Sequence, residues 1–341
     1  MRVRVGSFEE LQKTGRLATK AGNQPVCVFW EQGEQCARAV DDRCPHMGFP
    51  LHRGTVEEGL LTCHWHHARF DLATGGTLDP FADDVRAFPV EIEGDEVFVV
   101  VDPPEGQMEH LRLRLAEGLE QGLSLVMAKS VMGLLDAGAS VSDIVRIGVE
   151  FGTANRQQGW GSGLTVLTAM ANLLPWLDRE DQPLALVHGL AFVARDTRNR
   201  PPRFPLTSLG KADVPVERLA SWYRRFIETR SADAAERVLI TAIERGDDPA
   251  AMMFAAATDH VFLDGGHTLD FTNKAFELLE HLGWDAAAMV LPTLVDQTAR
   301  ASRSEEGGRW RYPHDLASLI QRTNERLPAL LARGAADGRS F

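Results

Sequence analysis

The chain holds only four cysteines in 341 residues, too few for a disulfide framework. Any cysteine that matters does so as a metal ligand or a reactive thiol. An apolar leader is also missing: Met1-Arg2-Val3-Arg4-Val5-Gly6-Ser7 runs straight into Phe8-Glu9-Glu10, so no signal peptide is expected. No run of eighteen uncharged apolar residues occurs, which argues against a membrane span and for a cytoplasmic protein with reduced thiols. No glycine-rich phosphate loop or dinucleotide fingerprint is present, so the chain lacks a recognisable means of binding NAD(P)H itself. Basic residues are in deficit, 36 Lys+Arg against 48 Asp+Glu, for a net charge of −12. The deficit concentrates in residues 1–105, where 10 Lys+Arg face 18 Asp+Glu. Nucleic acid is therefore not an expected partner. The acidic surface aids solubility, and it suits a basic protein partner.

Hydrophobic residues make up 44% of the chain and charged residues 25%, the composition of a globular protein. The length fits two domains, each large enough for its own core. Residues 1–102 read as β structure. Val26-Cys27-Val28-Phe29-Trp30 and Val97-Phe98-Val99-Val100-Val101 are short β-rich runs, and Gly48-Phe49-Pro50, Gly54, Gly59, Gly75-Gly76 and Pro80 punctuate the rest. Asp102-Pro103-Pro104-Glu105-Gly106 ends the last strand.

Beyond it the period changes to that of helices. The leucines from Leu111 to Leu123, with Val126 and Met127, predict a helix ending near Gly138. Further helices are expected over 141–154, 164–177, 184–195, 216–245, 250–263, 269–282, 286–301 and 316–331. The segments 164–195 and 269–300 share a helix, acidic connection, helix pattern that suggests a duplication. The expected architecture is an α+β multidomain protein, a β domain over 1–103 followed by an all-α domain over 107–341.

The chemistry concentrates in Cys44-Pro45-His46, sixteen further residues, then Cys63-His64-Trp65-His66. Two thiolates and two imidazoles suit either zinc or a two-iron cluster. Zinc fingers draw like ligands from one loop, whereas here each loop supplies one Cys and one His. That arrangement suits a [2Fe–2S] cluster with both thiolates on one iron and both imidazoles on the other.

With Cys44, His46, Cys63 and His66 in this spacing, the sequence resembles the Rieske family. Gly48, Pro50-Leu51, Phe70-Asp71-Leu72, Gly75-Gly76 and Phe88-Pro89-Val90 extend the match over about residues 1–103. The resemblance implies a β sandwich with a cluster-binding subdomain between Arg43 and Phe70. It selects His66 over its neighbours His64 and His67; His67 stands where the family often has glycine. His52 is expected at the surface. High-potential members add two cysteines that form a disulfide, and here those positions hold Phe49 and Trp65. They also carry a serine and a tyrosine whose hydroxyls donate to sulfur, and here those positions hold Ala68 and Phe70. Without those donors the resemblance implies the low-potential, ferredoxin or oxygenase type, with a midpoint of roughly −150 mV. Cys27 reads as a buried small hydrophobe, and Cys36 as a residue near a turn.

The helical region offers weaker signals. His260, Asp264 and His267 fall at i, i+4 and i+7, one face of a helix, where two imidazoles and a carboxylate suit a second, non-haem iron. Gly265-Gly266 interrupts that helix, so structural capping is the competing reading. His188, in an apolar helix, and Glu150, beside Ile144, Ile147 and Phe151, are further candidates for a buried catalytic pocket. The stretch from His260 through His267 to Leu269-Asp270-Phe271, with Glu277 beyond, shares a few positions with helical domains of the questin-oxidase type, which are oxidative and ring-cleaving.

Three functions follow from these readings. One is an oxidoreductase whose cluster feeds a small-molecule substrate or second metal in the helical domain. Another is an electron carrier whose helical domain docks partners or forms a homo-oligomer. The third is a redox sensor. Each requires an external electron donor, a ferredoxin or an NAD(P)H-dependent reductase.

Overall fold

The computed structural model describes residues 2–22, 24–101, 106–210, 213–260, 263–304, 306 and 313–336. The chain divides into two compact units, Met1–Arg114 and Leu115–Phe341. The sequence-predicted boundary at Asp102-Pro103-Pro104-Glu105 lies outside the described residues.

In the first unit, β1 (Arg2–Ser7) pairs with β10 (Glu96–Val100), which pairs with β9 (Val90–Glu93). A second sheet orders β2 (Arg16–Ala21), β3 (Gln24–Glu31), β4 (Cys36–Asp41) and β8 (Ala87–Phe88). A third, smaller sheet holds β5 (Thr55–Glu57), β6 (Leu60–Thr62) and β7 (Arg69–Asp71). The named strand pairs are antiparallel. The short helix α1 (Phe8–Thr14) follows β1, capped by the Ser7 hydroxyl.

Residues Val26–Phe29 are apolar without alternation because both faces of β3 are covered. Val26 and Val28 join Val5, Leu17, Val97 and Val99 in a core drawn from the first two sheets. Cys27 and Phe29 face the other way, joining Cys44, Leu61, Cys63 and Phe70 beneath the small sheet. Cys27 is thus the buried hydrophobe the sequence suggested, and burial holds its thiol far above the ordinary range.

The helix α2 (Gln107–Gln121) crosses the division between the units. It is followed by α3 (Ser124–Asp136), α4 (Val141–Ala154), α5 (Ser162–Leu173), α6 (Gln182–Thr197), α7 (Val216–Glu228), α8 (Ala232–Glu244), α9 (Ala250–Thr258), α10 (His267–Leu282), α11 (Ala287–Val290), α12 (Val295–Arg300) and α13 (Leu316–Ala336). Ser140 and Asp143 form a reciprocal capping box at α4.

Three expected helices are broken. Gly122, at φ +67, separates α2 from α3. The long run over 216–245 divides at Thr229-Arg230-Ser231: Arg230 takes φ +56, and the Thr229 hydroxyl donates to the Arg225 carbonyl, ending α7. Pro292 lies in the 3-10 turn between α11 and α12, so the run over 286–301 is not one helix and the suggested duplication is not matched in form. The helix expected over 250–263 ends at Thr258, and residues 261–262 lie outside the described set. No helix among the described residues is long and apolar enough to cross a membrane.

Candidate metal centre

Two tight loops at the ends of β4 and β6 present the Cys and His residues. In the first, the Cys44 amide donates to the Phe49 carbonyl at 2.8 Å and the Gly48 amide donates to the Cys44 carbonyl at 2.7 Å. In the second, the Cys63 amide donates to the Ala68 carbonyl at 2.9 Å. Each bond closes its loop and fixes the cysteine at the base, leaving the histidine nearer the tip. Cys44 and Cys63 are 3% and 1% exposed, while His46 is half-buried and His66 exposed.

Like donors meet. The two thiols lie within hydrogen-bond reach, and the two imidazole rings stand 4.7 Å apart, edge to face at 82°. Burial pushes the Cys44 thiol up to about 11; the backbone amides of His46 and Met47 pull the other way, and the Cys63 thiol adds to the rise. Those amides are positioned for a thiolate, which metal binding would create by displacing the proton.

No three of these four side chains bring donor atoms within 4.8 Å of one another. A single tetrahedral zinc would demand that convergence, whereas two irons divide the donors into a sulfur pair and a nitrogen pair. The residues present therefore fit a [2Fe–2S] cluster.

The neighbouring histidines have other places. The His64 Nε2 sits 3.3 Å from the Thr55 hydroxyl oxygen. His67 is exposed and takes φ +58, a backbone that glycine adopts more readily. His52 is half-buried rather than simply at the surface: its Nδ1 lies 2.7 Å from the Asp42 carboxylate, which also accepts the His52 amide. Phe49 and Trp65 pack with ring centroids 5.3 Å apart, and the buried Ala68 and Phe70 present no hydroxyl to the sulfurs.

Two supports were not legible in the sequence. Arg69 grips the Asp79 carboxylate through its guanidinium at 2.8 Å and its amide at 2.8 Å, and that grip holds the Asp79 carboxyl below its usual range. Arg114, at 7% exposure, donates to the Ala82 carbonyl at 2.7 Å and to Asp83 at 3.0 Å. Their partners lie ten and more than thirty residues away, with no motif to mark them.

A family model, Rieske [2Fe-2S] domain, matches residues 1–89. The anthranilate 1,2-dioxygenase ferredoxin subunit of Burkholderia cepacia is 32% identical over 98 residues, which cover 28% of this chain and 89% of that protein. The chain belongs to the Rieske [2Fe-2S] family. Apoptosis-inducing factor 3 of Homo sapiens is 28% identical over 191 residues, 53% of this chain, and the chain spans only 30% of that relative's length. The solved ferredoxin of carbazole 1,9a-dioxygenase from Nocardioides aromaticivorans IC177 is 27% identical and covers 30% of this chain and 99% of its own, with a TM-score of 0.28. Rieske membership implies a [2Fe–2S] cluster and an electron-transfer role for the N-terminal unit.

The helical candidates do not gather. His260 is 8% exposed, and its Nε2 lies 2.7 Å from the Glu228 carboxylate. Asp264 is exposed, and its amide donates to the Ser302 carbonyl at 3.0 Å. His267 opens α10, exposed, with its ring stacked on Phe271 at 5.5 Å. The i, i+4, i+7 geometry is lost because Asp264, Gly265 and Gly266 all take positive φ, reversing the backbone where a helix would have aligned the three. Among the described residues, no three His, Cys, Asp or Glu side chains of the helical unit bring donor atoms within 4.8 Å.

Glu150 is exposed, not buried beside the apolar face of α4, because Val145 and Val149 take the core positions. His188 is likewise exposed on α6, against Phe192, while Leu186 and Leu190 turn inward.

Proposed function

We propose that this chain is an electron-transfer oxidoreductase in which Cys44 and Cys63 ligate one iron of a [2Fe–2S] cluster and His46 and His66 ligate the other. The pairing of like donors, sulfur with sulfur and ring with ring, carries this reading. Bound there, the cluster supplies one-electron transfer. The buried cysteines exclude water from the sulfur side, and the exposed His66 gives the nitrogen side its route to a partner. An external ferredoxin or NAD(P)H-dependent reductase supplies the electrons. The Burkholderia cepacia relative is the ferredoxin subunit of a dioxygenase, and that similarity supports an oxygenase as the acceptor. The scattered histidines of the helical unit favour a docking or dimerising role for it over a second, non-haem iron.

The test is metal and sulfide analysis of protein purified without oxygen, with a voltammetric midpoint. Two irons and two sulfides per chain are expected, with a midpoint near the low end of the Rieske range, roughly −150 mV. Cys63→Ser should remove both the iron and the visible absorbance. Intact absorbance in that variant would overturn the ligand assignment, and additional iron in the wild type would restore a metal site in the helical unit.

A further inference from the structure

The exposed side of α6 carries His188, Phe192 and Arg195 at i, i+4 and i+7, positions that share one face. The His188 and Phe192 rings lie 4.8 Å apart, and the Arg195 guanidinium carbon stands 3.9 Å over the Phe192 ring. The His188 ring leans on Phe192 at 48°, and the Arg195 guanidinium lies over the face of the same ring. Arg198, just past the end of α6, rests on the α2–α3 turn: a Cβ on Gly122 would come within 3.2 Å of its Nη2.

A cavity of about 280 Å³ opens here, lined by Ser124, Met127, His188, Phe192, Arg195 and Arg198. No carboxylate lines it. The adjacent acid, Asp196, is turned to Arg156 at 3.4 Å and accepts the Gly163 amide at 3.0 Å. Among the described residues, neither Arg195 nor Arg198 takes part in an ion pair.

Several other arginines of this acidic chain meet carboxylates, Arg69 with Asp79, Arg203 with Glu236 and Arg224 with Asp259, while Arg237 donates to backbone carbonyls. At this cavity the exposed Arg195 guanidinium lies over an aromatic ring and the exposed Arg198 lies beside the Gly122 turn, and no carboxylate pairs with either among the described residues. A guanidinium fork matches a carboxylate in shape as well as charge. The remaining wall, from Met127, Phe192 and the neighbouring alanines 191 and 194, is apolar.

We propose that this cavity binds a small organic carboxylate, its charged end on Arg195 and Arg198 and its apolar body against Met127 and Phe192. The apolar wall favours an organic body over a bare inorganic anion, which would leave Met127 and Phe192 uncovered. The site is independent of the cluster assignment, and either can fail without the other.

Calorimetric titration of the full chain with benzoate, benzyl alcohol and inorganic phosphate tests the proposal. Benzoate should bind saturably, and its neutral counterpart benzyl alcohol should bind about tenfold more weakly or worse. Arg195→Gln and Arg198→Gln should each weaken benzoate by about tenfold or more, with melting and cluster absorbance unchanged. Ala191→Trp, which fills the cavity and keeps both charges, should abolish binding. Absence of saturable benzoate binding, phosphate binding as tight as benzoate, or wild-type affinity in both arginine variants would each overturn it.

Discussion

The two units treat their histidines in opposite ways. In the first, His46 and His66 arrive from separate loops and stand ring to ring beside two buried thiols within reach of each other. In the second, His260 is tied to Glu228, His281 to Asn172, and His267 and His188 lie against phenylalanines on their own helices. Both units have the residue types a metal needs, but only the first brings them together. The difference lies in the backbone. Loops closed by their own hydrogen bonds can aim two donors at one point, whereas donors spread along helices converge only where helix faces happen to meet. A metal site is thus a property of converging loops or faces more than of ligand supply.

Three experiments sharpen or break that contrast. The largest effect is expected from His260→Ala. Removing the ring costs packing and leaves Glu228 beside Arg303, whose side chain is 1% exposed and donates to the Ile227 and Glu228 carbonyls. A loss of about 2 kcal/mol in unfolding free energy is expected, with iron content and visible spectrum unchanged. Loss of iron in that variant would end the contrast, because it would make the helical histidine a ligand.

Next comes Asp79→Asn, which releases Arg69 at the cluster-side sheet and should cost about 1 kcal/mol at neutral pH. Arg69 is half exposed, so added salt should shrink the effect. The folded-state carboxyl is held below its ordinary value, so its contribution is full above that value and is lost as pH falls through the folded one. The gap between wild type and variant should therefore be flat near neutrality and close below about pH 4 in denaturant melts. A gap that widens in acid would contradict the assignment.

The smallest effect is Phe70→Tyr. It places a hydroxyl at a fully buried position packed with Cys44 and Cys63, where the resemblance puts the tyrosine of high-potential members. The midpoint should rise by an amount on the order of tens of millivolts, measured by voltammetry. An unchanged midpoint would mean that the hydroxyl does not reach sulfur.

Much of the first unit was legible because its signals are local. The spacing of Cys44, His46, Cys63 and His66 carries its own chemistry. The apolar run Val26–Trp30 marked a strand, and Cys27 within it a buried small hydrophobe. Periodicity likewise found α4 and α10 close to their observed limits. What stayed hidden depends on backbone choices or on distant partners. Arg230 adopts positive φ although it is not glycine, so nothing in its identity announces a break, whereas the break at Asp264 was signalled by Gly265-Gly266. Glu150 and His188 were expected inside, yet a helical wheel cannot say which edge of an apolar stripe another helix will cover.

The sequence by itself determined the ligand types, their division between two loops, and the change from β to helical structure, because each is written in short-range spacing. Only the tertiary structure decided that the helical histidines disperse and that, among the described residues, two arginines outside any ion pair line one cavity at the end of α6. Those outcomes depend on the packing of segments far apart in the chain, and packing responds to shape and burial that no local spacing encodes.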